Sequence, residues 1–459
     1  PDAPASSAPA VDAPPPLPPV EPREAVPAVI TDDDALRRYA DLVAAGSGPL
    51  ALDAERASGY RYGQRAYLVQ LRREGSGTHL VDPIAVRDLA PLSAALAGTE
   101  WVLHAASQDL PCLREIGLAP DSLFDTELAG RLLGRPRVGL AALLEEVLGF
   151  SLAKEHSAAD WSTRPLPEPW LRYAALDVEL LVELRDALEA ELEESGKLGW
   201  AHEEFEAARL APPAAPRVDP WRRTSGLHKV RKPRQLAVVR SLWERRDDIA
   251  RRRDTSPGRV LPDAALLAAA LATVPGQRTE LTALPAYAGR GAKRHLSDWQ
   301  GAVDVALALP DSALPPSSLP ADGPPPPRSW PDRDPAAAAR LAAARTVVSE
   351  LAEERTMPVE NLLPPDLLRR ICWTPPELDA ELDDEPLREA LLSGGARRWQ
   401  VEQVLEPLLA ALRARYPLAA IAGHSHVAPG RKTDPGPHFD WAAVAARHAD
   451  LALPAEVTA

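Results

Sequence analysis

Between residues 49 and 104 the apolar residues come in short runs, not at helical spacing. Leu50–Ala54, Ala66–Arg72, His79–Val81 and Trp101–His104 are such runs, which predicts strands. From Asp109 onward apolar positions recur three and four apart, which predicts helices. A meander of three strands followed by strands alternating with helices predicts an α/β domain over 31–206, a mixed sheet flanked by helices. Farther on, Leu236, Val239, Leu242 and Trp243 recur at helical spacing, and Pro257, Pro262, Pro275 and Pro285 punctuate short helices. This predicts an all-α domain over 225–310, and a similar pattern predicts a second helical array over 336–420.

Composition sets what lies between these blocks. Residues 1–30 are dominated by Pro, Ala and Val and are expected to be disordered. Residues 207–224 read as an Ala/Pro linker. Residues 311–335, with Pro324 to Pro327 in a row, read as an extended, solvated linker. The tail, 421–459, is rich in Pro, His and Ala and is expected to be loose, with Trp441 as an anchor.

The chain of 459 residues carries a formal charge of −14, which argues against a protein that coats nucleic acid. The charge is uneven, however, since residues 217–300 hold 18 Lys and Arg against 8 Asp and Glu. Lys229, Arg231, Lys232, Arg234, Arg251, Arg252 and Arg253 form the candidate basic patch, weighed against an ordinary solvated face. Cys112 and Cys372 are far apart and in apolar surroundings, so no disulfide framework or zinc site is implied, and a reducing cytoplasm fits. No apolar run reaches the roughly 18–20 residues a membrane span needs. No secretory leader and no small-molecule cofactor are expected, and the chain is expected to be a monomer.

The candidate chemistry lies in four acids and one tyrosine: Asp53 and Glu55, then Asp109, then Tyr173 and Asp177. Asp53 and Glu55 are two apart at the end of a predicted strand and share a face. Tyr173 and Asp177 are four apart in a helical pattern and stack on one side. Carboxylates gathered in this way repel one another unless a cation compensates them. Oxygen ligands without a Cys or His pair favour Mg²⁺ or Mn²⁺. Two such ions, roughly 3.5–4 Å apart, suit in-line displacement at phosphorus.

The same segments resemble ribonuclease D and the wider DEDD 3′→5′ exonucleases of the tyrosine subclass. The resemblance runs through Leu52-Asp53-Ala54-Glu55, Leu68-Val69-Gln70-Leu71, His104-Ala105-Ala106-Ser107-Gln108-Asp109-Leu110 and Tyr173-Ala174-Ala175-Leu176-Asp177. Lys154 and Asp160-Trp161-Ser162-Thr163-Arg164-Pro165-Leu166 add a block similar to ribonuclease D itself. The resemblance implies a ribonuclease-H-like fold and a metal-dependent exoribonuclease that releases 5′-mononucleotides from RNA with a free 3′ end, such as tRNA precursors. It also implies that Asp53, Glu55 and Asp177 hold the ion beside the attacking water, that Asp53 bridges to the second ion, and that Asp109 helps through water. Tyr173 would orient the nucleophile. Residues 225–310 resemble an HRDC domain, and 336–420 are fainter in their likeness to a second one.

Many members of that family carry Phe after the second acid, where this chain has Arg56. Arg56, Tyr60 and Tyr62 are the candidates to stack on the terminal base in its place. His104 and Gln108 are further candidate substrate contacts, with His104 weighed against a satisfied core histidine. Lys154 and Arg164 would touch phosphate or brace their loop. Asp125-Thr126 reads as a helix cap, and Trp161, Trp170 and Trp243 read as packing residues. Two rival functions stand beside the exoribonuclease: a DNA 3′→5′ exonuclease of the same superfamily, and a non-catalytic RNA-binding protein with a relic exonuclease fold.

Overall fold

The computed structural model describes residues 16–413 apart from 154, 155, 157, 275, 276, 278, 320–322 and 377–383. Lys154, Pro275, Trp441 and the tail 421–459 therefore lie outside the described residues.

A six-stranded mixed sheet forms the first body. It contains β1 (Val29–Ile30), β2 (Ser47–Arg56), β3 (Ala66–Glu74), β4 (Gly77–Val81), β5 (Glu100–Leu103) and β6 (Ser122–Asp125), in the order β1-β4-β3-β2-β5-β6. The β2–β3–β4 meander is antiparallel, whereas β2–β5, β5–β6 and β1–β4 are parallel. The architecture is the ribonuclease-H-like α/β fold with helices on both faces.

Strand alternation on β2 decides where the chemistry goes. Leu50, Leu52 and Ala54 turn to one face, into a core shared with Leu36, Val43, Leu92, Leu110 and Leu113. These come from α1 (Asp33–Ala44), α2 (Ala90–Ala95) and α3 (Leu110–Glu115). Asp53 and Glu55 must then point to the opposite face. The chain continues through α4 (Thr126–Leu132), α5 (Leu140–Leu143) and α6 (Glu168–Glu179), and α6 packs across β2, β3 and β4. Pro169 in its first turn suits a helix start, where a missing N–H costs nothing. Two longer helices, α7 (Leu181–Glu194) and α8 (Leu198–Leu210), complete this layer.

A helical bundle follows. α9 (Pro233–Arg252) leads into α10 (Pro257–Val260) and α11 (Asp263–Ala272), then α12 (Arg290–Arg294) and α13 (Leu296–Ala308). α9 packs against α11 and α13 around Leu236, Val239, Leu242, Trp299 and Val303. A second helical unit comprises α14 (Trp330–Arg333), α15 (Pro335–Glu354), α16 (Val359–Leu362), α17 (Pro365–Trp373), α18 (Glu385–Ser393) and α19 (Arg398–Arg413). Within it α15 packs against α17 and α19, burying Leu341, Val348, Leu368 and Trp399. Among the described residues no helix is long and apolar enough to cross a membrane. Cys112 and Cys372 are both free and buried.

Three expectations from composition need correction. Residues 16–30, expected to be disordered, are ordered: Val20 is buried, its N–H donates to Ser151 O at 2.9 Å, and Ser151 N–H donates to Pro18 O at 2.8 Å. The segment cannot build a core, but an extended Pro-rich strand with little entropy to lose docks readily on one already formed. Within 207–224, α8 continues to Leu210, and Trp221 is buried in the first bundle. Within 311–335, Trp330 is fully buried and packs at a tilt against Trp373, ring centroids 4.9 Å apart. A single tryptophan brings enough apolar surface to pull a Pro-rich segment onto a core.

Candidate active site

Asp53, Glu55 and Asp177 each offer a carboxylate oxygen, and these atoms all lie within 4.8 Å of one another. β2 presents the first two from the sheet, and α6 presents the third from above. Tyr173 sits one turn earlier on α6 and lines the same cleft as Asp177. Its ring is 6.3 Å from that of the fully buried Trp161. Trp161, Trp170 and Trp243 are all packing residues, as the sequence suggested.

These groups line a cleft of about 450 Å³ together with Arg56, His104, Gln108, Asp109 and Glu127. Asp109 lies outside the 4.8 Å group but borders the same space. It stands at the N-cap position of α3 and makes no side-chain cap bond, so capping is not its task. Arg56 reaches it instead: Nη2 is 3.4 Å from Asp109 Oδ1, and Nη1 donates to Gln108 O at 2.9 Å.

The electrostatics follow from the crowding. Burial first, then repulsion from Asp53, Asp177 and Asp109, pushes Glu55 up to about 10. Burial and then the charge of Asp53 push Asp109 up to about 8. Asp53 and Asp177 are also raised, burial being the leading cause for both. Burial, then the charges of Asp177, Glu55 and Asp53, raises the Tyr173 phenol, so it is a proton donor at neutral pH and not a base. Burial lowers His104 to about 4, and its Nδ1 is 2.9 Å from Thr126 Oγ1, so a neutral ring lines the cleft.

This donor set fits a divalent cation. It is all oxygen, its members are within reach of one ion, and each acid carries a desolvation and repulsion penalty that a cation would remove. The chain's own cation here, Arg56, makes its ion pair with Asp109.

The roles of two supporting residues escaped the sequence reading. Gln70, fully buried on β3 directly across from Asp53, donates Nε2 to Asp53 Oδ2 at 2.8 Å. The available signal was an amide set between the apolar Val69 and Leu71. Asp125, read only as a cap of α4, does more. It accepts from Glu127 and Leu128 N–H at that cap, and also from Ala105 and Ala106 N–H at 3.1 and 2.8 Å. Those last two bonds hold Ala105 at φ 57°, a left-handed backbone that alanine resists, and so set the turn leading to Asp109.

The remaining candidates divide. Tyr60 borders a neighbouring cleft of about 320 Å³ that shares Glu55 and Arg56 with the first. Tyr62, expected as a stacking residue, points elsewhere: its O–H lies 3.0 Å from both carboxylate oxygens of Asp247 on α9, and its ring packs on the helical core. Nothing in a loop without periodicity marks that direction. Arg164 braces its loop, binding Asp82 at 2.6 and 2.9 Å and the carbonyls of Tyr67, Trp161 and Thr163. In the basic patch, Lys229, Arg231 and Lys232 are exposed. Arg234 is bound to the carbonyls of Leu307 and Leu309 and to Asp311, while Arg251 and Arg252 pair with Asp247 and Asp248, and Arg253 meets His295.

Comparison with known proteins gives a consistent picture. Residues 27–193 match a 3′-5′ exonuclease family, 235–303 match the HRDC domain, and 323–412 match a 3′ to 5′ exonuclease C-terminal domain. The chain is 34% identical over 292 residues to Ribonuclease D of Escherichia coli, covering 62% of this chain and 76% of that one. The crystal structure of E. coli RNase D, described as an exoribonuclease involved in structured RNA processing, aligns with a TM-score of 0.60 at 28% identity, over 84% of this chain and 98% of that one. A crystal structure of a protein from Bifidobacterium adolescentis aligns with a TM-score of 0.77 at 40% identity, over 86% of this chain and 98% of that one.

Proposed function

This chain belongs to the ribonuclease D family, and from that premise we propose that Asp53, Glu55, Asp109, Tyr173 and Asp177 carry its reaction. The protein is a metal-dependent 3′→5′ exoribonuclease. The observation that carries the residue assignment is the convergence of three carboxylates within 4.8 Å beside the Tyr173 phenol.

Asp53, Glu55 and Asp177 would hold one divalent cation, and Asp53 would also serve a second with Asp109 helping through water, Mg²⁺ or Mn²⁺ in either case. When bound, such ions lower the pKa of water and stabilise the leaving oxygen of an in-line displacement. The water oxygen attacks the last phosphorus of the RNA, the bond to the 3′-oxygen of the preceding nucleotide breaks, and a 5′-mononucleotide leaves. Tyr173, protonated throughout, would orient the attacking water by donating its one O–H to it. Gln70 fixes the rotamer of Asp53. His104 stays neutral and shapes the wall of the cleft.

The substrate is proposed to be RNA with a free 3′ end and a folded body, tRNA precursors among them. Support comes from the description of the E. coli protein and from the exposed Lys229, Arg231 and Lys232 on the first bundle. We read 31–206 as the catalytic domain, 225–310 as the HRDC domain and 336–420 as a second helical domain of that kind, in a monomer.

The test is a 5′-labelled RNA incubated with the purified protein and Mg²⁺ or Mn²⁺. A ladder shortening from the 3′ end, absent with Asp53→Asn and with Asp177→Asn, is expected. Full activity in both variants would remove the residue assignment. A matched DNA strand in the same assay measures preference for RNA.

A further inference from the structure

The loop after β2, residues 57–65, runs to the helical bundle. Its hold there is specific. Arg259, in the short helix α10, places its guanidinium carbon 3.9 Å from the centroid of the Tyr60 ring and donates Nε to Gly59 O at 2.8 Å. Ser256 N–H donates to Tyr60 O at 2.9 Å. Tyr60 in turn borders the cleft of about 320 Å³ whose other walls include Glu55 and Arg56. One face of an aromatic ring beside the carboxylate cluster is therefore covered by a cation from a different domain-sized element.

Resting on the exonuclease reading, we infer that Arg259 is a positioning residue that acts through Tyr60. It holds the ring as a wall of the cleft, where the ring stacks on a nucleobase at the 3′ end of the substrate. A planar guanidinium over the ring and a bond to the adjacent carbonyl fix both the side chain and its backbone, which cuts the entropy lost when a base binds. The helical bundle then takes part in binding even RNA too short to reach its basic face. Arg259 itself touches no RNA.

The experiment compares the full chain with Arg259→Ala, Tyr60→Ala and the double variant. A 5′-labelled pentamer of oligoadenylate with Mg²⁺ gives KM and kcat, and amide hydrogen exchange of residues 57–65 is followed without metal or RNA. Arg259→Ala is expected to raise KM about threefold to tenfold with a much smaller change in kcat, as befits the loss of one cation–π interaction. It is also expected to speed exchange in the loop, and Arg259→Lys should recover part of both effects. In the Tyr60→Ala background the Arg259→Ala change should add nothing, since the two residues act as one unit. An equal further rise in KM in that background would overturn the inference, and so would unchanged exchange in the loop. If the wild-type protein fails to shorten the pentamer, the nuclease reading fails, and the exchange measurement still decides whether Arg259 holds Tyr60.

Discussion

Gln70 Nε2 donates to Asp53 Oδ2 at 2.8 Å, from a side chain wholly shut off from solvent. An outer partner of this kind selects one carboxylate rotamer and leaves the other oxygen turned toward the cleft. Gln70→Leu is expected to weaken Mg²⁺ binding by about 10–100-fold, the usual cost of losing a bond to a metal-ligating group. Calorimetric titration of Mg²⁺ into the metal-free protein measures it; unchanged affinity would show that Asp53 needs no such partner.

Metal removal should couple to pH. Folded and metal-free, Glu55 and Asp109 keep protons up to about 10 and about 8, while their ordinary values are 4.5 and 3.8. The folded chain thus binds protons that the unfolded chain has already released. That contribution to stability is full below about pH 4 and is lost as pH rises through 8 and then 10. Added Mg²⁺ should therefore raise the melting temperature more at about pH 8.5 than at about pH 6, because the ion competes with protons for the same oxygens. Thermal melts in chelator and in Mg²⁺ at both pH values test this.

Arg56 competes with a cation for Asp109. Arg56→Ala should lower the Mg²⁺ concentration for half-maximal activity by roughly threefold to tenfold, the worth of one partly screened charge pair. The same variant should bind RNA less tightly. A higher Mg²⁺ requirement would mean that the guanidinium supports the metal site instead.

Replacing Asp125 with Ala strands four backbone donors and releases Ala105 from its left-handed turn. A loss of about 2–4 kcal/mol is expected in urea unfolding, a helix cap plus buried unpaired N–H groups. Asp125→Asn, which keeps one acceptor oxygen, should lose less.

Lys229, Arg231 and Lys232 are exposed at the start of the first bundle. Changing all three to Ala should flatten the slope of log affinity against log salt by about 2 for single-stranded RNA, near 0.7 for each phosphate that no longer meets a cation. Equal slopes would exclude these residues from the RNA path.

What could be read in the sequence was whatever periodicity carries. Asp53 and Glu55 share a face because they are two apart on a strand, and Tyr173 and Asp177 because they are four apart on a helix. Both pairs, the mixed sheet and the helical bundle were legible for that reason. Gln70 and Asp125 were not, because their roles depend on a cross-strand partner and on a turn some 20 residues away. Tyr62 was misdirected because a loop has no repeat to say which way a ring turns. Residues 16–30 and Trp330 were misjudged from local composition, which says nothing about a groove or core supplied by distant chain.

Arg23 and Arg72 both pair with the buried carboxylate of Glu179, two positions beyond Asp177 on α6, and Arg23 N–H donates to it as well. The family match starts at residue 27. A protein trimmed to that boundary by similarity alone would lose Arg23 and Val20 together, loosening the helix that carries the third acid of the cluster. Shortened versions made for crystallisation or assay should begin no later than residue 16, or a weak enzyme will be blamed on its catalytic residues when the fault lies in a missing brace.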